Sequence, residues 1–280
     1  MRKLKRWWQM MVAERRIAAR RAVVLRALRH DLSYGPLQLQ KIGNRGHDSN
    51  YIVSVEGRKT GVLRLVNPHR HRPLPQASSP AVLPPTPERL SREWQYLVKG
   101  AGAKLTPTPL WRTDDAIFCV YLPYGCMLQK LQNAPQDGWQ IAASVCRRIA
   151  DLHAAGITHM DMSMSNVIGN DNNDHIVFID FEYGPAAGLP LPAQRLYDHL
   201  RLIESIWKFL PAGKAAGAQP WFAAFTAVVD DEMRAVDLAV LAPTLSRIFA
   251  DEGFKQGLDR VLNAPKTVAV NMVEAAAAKA

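Results

Sequence analysis

Between Leu37 and Val66 the apolar residues fall in short β-like runs, Leu37 to Ile42, Tyr51 to Val55 and Val62 to Val66, separated by polar turns at 43–50 and 56–61. Runs of this length bounded by turn residues predict strands, and three in succession predict an antiparallel meander. Seven prolines between positions 68 and 87 predict a loop. From about Pro87 the period becomes helical, with Leu90, Trp94, Leu97 and Val98 on one face and Glu93 beside them. Ile117 to Leu122 reads as a further buried strand, and Pro123-Tyr124-Gly125 as a connector. Helical spacing then dominates: Ile141, Val145, Ile149 and Leu152, next Leu196, Leu200, Ile203, Trp207 and Leu210, and finally Phe222, Phe225, Val229, Met233 and Val236. A strand-rich first half followed by a helix-rich second half predicts an α+β chain.

Ahead of the first strand lies a segment of different character. If residues 2–12 are helical, Leu4, Trp7, Trp8 and Met11 form one stripe with Arg2, Lys5 and Arg6 opposite. Indole favours the lipid headgroup layer and arginine is attracted to anionic lipid, so the segment fits a helix lying in a membrane interface. The alternative is a basic helix packed on the protein's own body or left solvated. An apolar stretch of only Trp7 to Ala13, interrupted by Gln9 and followed by Glu14, Arg15 and Arg16, argues against a signal peptide.

Charge sharpens this picture. The chain of 280 residues has a formal charge of +10, and residues 1–30 carry ten basic side chains against Glu14 alone. That is +9 in the arm and +1 in the remainder, so the body lacks the broad basic face of a nucleic-acid-binding domain. At 48% hydrophobic residues the chain can bury one large core or two lobes, yet no apolar run approaches a membrane span. Cys119, Cys126 and Cys146 match no zinc or redox spacing and read as three reduced thiols. His69 and His71 are flanked by Arg70 and Arg72, which oppose metal binding.

The candidate chemistry lies after Leu152. The helix there runs into His153-Ala154-Ala155-Gly156-Ile157-Thr158-His159-Met160-Asp161, followed by Asn166-Val167-Ile168, a polar turn at 169–174, and a strand Ile176 to Ile179 that delivers Asp180-Phe181-Glu182. A hydroxyl attacking the γ-phosphate of ATP needs a carboxylate to take its proton, and the nucleotide needs Mg²⁺ held by oxygen ligands. Asp161 suits the first role, and Asn166 and Asp180 the second. A carboxylate at the end of a buried strand is costly without a cation or donor to meet it, which favours a metal role for Asp180. The competing reading is that these are turn and cap residues. In the first turn, Gly43 and Gly46 can bring backbone amides over a phosphate, with an ordinary hairpin as the alternative.

The stretch LHAAGITHMDMSMSN followed by VFIDFE resembles the catalytic loop and metal-binding strand of the protein-kinase-like superfamily, and the resemblance spans about residues 37–210. It implies a two-lobe fold, an N-lobe with a small antiparallel sheet over 34–122 and a mostly helical C-lobe over 123–270, to which composition adds a basic arm over 1–33 and a frayed tail over 271–280. It further implies ATP and Mg²⁺ as cofactors, Asp161 as the catalytic base, His159 as a brace of the loop, and Asn166 and Asp180 as Mg²⁺ ligands. Gly43 and Gly46 match the phosphate-covering loop, Glu93 the helix glutamate, and Asp198 a support of the catalytic loop, with a solvated helix residue as its plain alternative. Arg64 stands in the place of the strand lysine that pairs with that glutamate. Arginine keeps the charge but has a different reach, which leaves a nucleotide-binding pseudokinase scaffold as an alternative.

Only 18 positions separate Asp180 from Asp198, and Glu182 replaces the glycine usual after Asp-Phe. Ser163 replaces the usual Lys or His two places after the catalytic Asp. This resembles compact kinases of small molecules, sugars and lipopolysaccharide more than protein kinases. Joined to the basic arm, it points to the bacterial lipopolysaccharide core (Kdo/heptose) kinases: a lipid-linked sugar hydroxyl as acceptor, an anionic membrane surface as partner of residues 1–30, and a cytoplasmic protein peripheral to the inner membrane. No nucleic-acid partner is expected. The alternatives are a soluble kinase resembling the aminoglycoside and choline kinases, for which Asp230, Asp231 and Glu232 read either as an acidic amine pocket or as a solvated acidic face, and a short bacterial Ser/Thr kinase.

Overall fold

A computed structural model of the protein describes residues 2–42, 48–70, 78–170, 172–211 and 214–264. The basic segment forms two helices, α1 (Arg2–Arg16) and α2 (Ala18–Asp31). They lead into β1 (Leu37–Ile42), β2 (Asp48–Val55) and β3 (Arg58–Val66), then a short β4 (Ala81–Val82) and helix α3 (Thr86–Ala101). Strands β5 (Pro109–Arg112) and β6 (Ala116–Val120) complete an antiparallel five-stranded sheet of order β1-β2-β3-β6-β5.

Alternation along the strands decides what each face of this sheet meets. Tyr51 and Val53 on β2, Leu63 and Leu65 on β3, and Ala116 and Phe118 on β6 pack against Ile17, Val24 and Leu28 of the arm. Ile117 and Cys119 on β6 belong instead to the large core shared with Leu90 and Leu97 of α3. Arg64, between Leu63 and Leu65, is thereby turned to the α3 side of the sheet.

The second half of the arm therefore packs on the body. Glu14 is buried against Ser49 Oγ at 2.5 Å, Lys41 Nζ at 2.5 Å and the Tyr51 hydroxyl, and Trp111 Nε1 donates to Asp31 Oδ2 at 2.9 Å. The outward face keeps Trp8, which is 63% exposed, and Met11. No described helix is long and apolar enough to cross a membrane.

The chain continues through β7 (Gly125–Cys126), α4 (Met127–Asn133), α5 (Gly138–Ala154), β8 (Val167–Gly169), β9 (Ile176–Phe178), β10 (Gly184–Pro185) and α6 (Leu191–Ile206). The helical lobe is closed by α7 (Gln219–Thr226), α8 (Asp231–Arg234), α9 (Ser246–Phe249) and α10 (Glu252–Leu262). Its core is built from the helical stripes expected from the sequence: Ile141, Val145, Ile149 and Leu152 meet Leu196, Leu200 and Ile203, with Phe222, Phe225 and Met233 beside them. Val98 departs from its expected face and is exposed, because α3 turns Leu90 and Leu97 inward and leaves Val98 on the solvent side. The result is an α+β structure with an antiparallel-sheet N-lobe above a mostly helical C-lobe.

The two lobes are stitched together around the loop after α5. Lys99 Nζ donates to Gly156 O at 2.9 Å, Arg92 Nη2 to Thr158 O at 3.2 Å, and Phe178 N to Leu105 O at 2.8 Å. The Pro-rich connection, expected to be pure loop, contributes β4, which pairs antiparallel with β10 in the segment after Asp180. Gly43, Gly46, His71 and the expected frayed tail lie outside the described residues.

Candidate active site

Helix α5 ends in a Schellman motif: Gly156 N donates to His153 O at 2.8 Å and Ile157 N to Leu152 O at 3.1 Å. Gly156 has φ 66°, a conformation glycine adopts without the Cβ penalty. This sharp stop launches Thr158 to Asp161 back across the lobe. The loop is then fixed from below by Asp198 of α6, which is fully buried. Asp198 Oδ2 accepts from His159 N and Oδ1 from Met160 N, both at 2.8 Å, and His153 Nε2 lies 3.0 Å from Oδ2. These bonds hold Met160 at φ 64°, a costly backbone state for a side-chain-bearing residue. The sequence alternative of a solvated Asp198 does not hold.

His159 is buried beneath the loop, with Nε2 2.9 Å from Ile179 O and its ring 4.7 Å from that of Phe181. It thus ties the loop to the segment that carries Asp180. Phe181 also meets Tyr96 of α3, at 5.8 Å between ring centres. Asn166 Nδ2 donates to Asp161 O at 3.0 Å and lies 3.4 Å from Asp161 Oδ2, and Arg201 Nη2 is 3.4 Å from Oδ1. Ile179 N donates to Asn166 O at 3.0 Å, so one backbone bond sets Asn166 beside the strand end where Asp180 follows at φ 70°.

Across from this loop stands Arg64. Nη1 reaches Glu93 Oε2 at 2.5 Å and Asp180 Oδ1 at 2.7 Å, Nη2 reaches Glu182 Oε2 at 2.5 Å, and Nε reaches Asp48 Oδ2 at 2.6 Å. Arg89 of α3 joins them, with Nη1 2.6 Å from Asp48 Oδ2 and 2.8 Å from Glu182 Oε2, and Nη2 2.9 Å from Asp48 Oδ1. The structure thus brings together Asp161, His159 and Asn166 on one side and Arg64 and Glu93 on the other, with Asp180 between. Asp48, Arg89 and Glu182 were not among the residues expected from the sequence. Glu182 carried the one available signal, an acid two positions after Asp180 in an otherwise apolar run.

This packing perturbs the carboxyls in opposite directions. Burial pushes Glu93 up, with Arg64 offsetting only part of the effect. Burial and the charge of Asp180 likewise push Glu182 up. At Asp48 burial also acts upward, but Arg64 and Arg89 outweigh it and hold the carboxyl at about 2 against an ordinary 3.8. A depressed carboxyl stabilises the fold fully above its ordinary pKa and loses that contribution as pH falls through the folded value. The protein is therefore expected to lose on the order of 2 kcal/mol from Asp48 between about pH 4 and about pH 2. Urea midpoints measured across that range should fall more gently in Asp48→Asn, and an equally steep fall in the variant would remove Asp48 as the cause.

Among the described residues no group of three or more His, Cys, Asp or Glu is placed to hold a metal by itself. Asn166 and Asp180 nevertheless offer the hard oxygen donors that Mg²⁺ takes. With Asn166 Nδ2 committed to Asp161, its Oδ1 is the acceptor left for a cation. Such a pair fits an ion that completes its shell from phosphate and water.

No protein-family model matches the chain, and no curated protein does. Among solved structures it is similar to a choline/ethanolamine kinase family protein from Mesorhizobium loti, at 13% identity and a TM-score of 0.48, over 81% of this chain and 92% of that one. It is also similar to an ethanolamine kinase of Plasmodium vivax, at 11% identity and a TM-score of 0.47, over 81% of this chain and 77% of that one.

Proposed function

We propose that the protein is an ATP-dependent phosphotransferase that moves the γ-phosphate to a hydroxyl of a small molecule. The observation that supports this most is the joining of Asp161, Asn166 and Asp180 by the Asn166–Asp161 and Asn166–Ile179 bonds, on a loop held by Asp198. In this reading Asp161 accepts the proton of the attacking hydroxyl, and Asn166 and Asp180 hold Mg²⁺. Bound Mg²⁺ would supply charge neutralisation on the phosphates. Arg64 acts as an organiser of the site, because its three nitrogens are already turned to carboxylates.

The acceptor class rests on the segment after Asp180. It is short and pinned by the β4–β10 pair, and it forms one wall of a cleft of about 540 Å³ whose lining includes none of Asp161, Asn166 and Asp180. Ser79, Leu189, Val236 and Glu232 line that cleft, and Asp237 beside them caps a short helical turn by accepting from Ala239 N at 2.9 Å. Asp230, expected in an amine pocket, instead caps α8 by accepting from Met233 N. A second reading, a lipid-borne sugar reached by a membrane-bound protein, is favoured by the exposed Trp8 and Met11 on a strongly basic arm.

The test is transfer of label from γ-labelled ATP with Mg²⁺ to choline, an aminoglycoside, or a bacterial envelope extract separated into lipid, protein and soluble fractions, with Asp161→Asn as control. Asp161-dependent label in a soluble acceptor is the expected result. Label in the lipopolysaccharide or protein fraction would move the assignment to that acceptor. No label anywhere, with MgATP bound, would make the protein a nucleotide-binding scaffold.

A further inference from the structure

Two residues at the heart of the site have no place in the catalytic roles above: Glu182 and Asp48, both buried and both on Arg64. The four carboxylates around that arginine differ sharply in exposure. The side chains of Glu93, Asp48 and Glu182 are 6%, 3% and 2% exposed, while that of Asp180 is 34% exposed. Three of the four are thus locked in the interior, and Asp180 alone faces a route to solvent or ligand.

A buried guanidinium that loses its only carboxylate is left with unmet donors, which is costly. Arg64 is protected from that outcome. If Asp180 turns away, Nη1 keeps Glu93, Nη2 keeps Glu182 and Nε keeps Asp48. The added carboxylates would repel one another if left to one arginine, and Arg89 balances them by gripping Asp48 through both oxygens and Glu182 through one. A lysine at position 64, with a compact ammonium, could not reach four acceptors in this fork-like arrangement.

We propose that Glu182 and Asp48, held by Arg89, are positioning residues that act as standing acceptors for Arg64, so that Arg64 can give up Asp180 to a divalent cation arriving with nucleotide. The proposal rests on the phosphotransferase reading and assigns a reason to two departures from the resembled pattern, Arg64 and Glu182, which become one compensated pair. Removing charge from Glu182 leaves Arg64 to bind Asp180 more tightly, in direct competition with the cation.

The experiment is binding of a fluorescent ADP analogue to the full chain as Mg²⁺ is titrated, together with thermal melting in the absence of both. Glu182→Gln is expected to raise the Mg²⁺ midpoint by about 5-fold or more, the lower end of ordinary coupling between sites, and Glu182→Asp to fall between it and the wild type. Arg64→Lys is expected to lower the melting temperature by about 6–10 °C, because Glu93, Asp48 and Glu182 all lose the guanidinium fork that Arg64 presents to them. Arg64→Lys combined with Glu182→Gln should recover part of that loss and return the Mg²⁺ midpoint toward the wild-type value. An unmoved midpoint in folded Glu182→Gln or Glu182→Asp, or a double variant that melts below Arg64→Lys, would overturn the proposal while leaving the phosphotransferase reading intact. Failure of the wild-type protein to bind the Mg²⁺-nucleotide would overturn both.

Discussion

Asp161→Asn is expected to lower turnover by about 10²-fold or more, the loss typical of removing a general base, while MgATP affinity stays near the wild-type value. The substitution keeps the side chain's size and leaves the backbone carbonyl that Asn166 Nδ2 binds at 3.0 Å. It removes the group able to accept a proton. The cage around Arg64 does not include Asp161, so the fold should be little affected, and the partly exposed Arg201–Asp161 pair at 3.4 Å contributes little by itself. Steady-state kinetics on the labelled acceptor, paired with calorimetric titration of MgATP, separates the two quantities. Normal turnover in this variant would end the assignment of Asp161 as base.

Asp198→Ala should act in the opposite manner, through stability. The substitution strands the buried N–H groups of His159 and Met160 and removes the partner of His153. Each unmet buried donor costs on the order of 1–3 kcal/mol, so a loss of about 3–5 kcal/mol is expected, read as a lower urea midpoint. Activity should fall with it, because the two bonds to Asp198 fix the loop that presents Asp161, including Met160 at φ 64°. Asp198→Asn keeps one acceptor oxygen and should be less damaging. A variant that is as stable as the wild type but inactive would show that Asp198 touches the chemistry directly.

The contrast between these two aspartates shows how legible the site was. Asp161, Asn166 and Asp180 lie on a continuous stretch where loop, turn and strand follow in a readable order, and local spacing suffices to place them. Asp198 was legible only through its helical stripe and the resemblance. Asp48 and Arg89 were not legible at all: one begins a strand inside a segment that reads as a polar turn and the other lies near a helix start, and nothing local announces that they meet on the α3 side of the sheet. The arm was legible in part, since packing on the protein's own body was one of its two readings and holds for its second half. The apolar residues of α2 are scattered around the helix, so the face formed by Val24 and Leu28 has no periodic signature, while the more visible Trp8 and Met11 stripe faces outward.

Fold class, the helical stripes of the C-lobe and the order of the loop carrying Asp161 follow from the sequence alone, because hydrophobic periodicity and turn chemistry are encoded over a few neighbouring residues. The short strands β5 and β4 escaped it, since a run of four residues or two lacks enough period to register. Only the tertiary structure decided that Arg64 is shared by four carboxylates, that Arg89 balances them, and that the arm covers the far face of the sheet. Those contacts join residues many tens of positions apart, and their energies depend on which faces become buried together and which charges are left to neutralise one another.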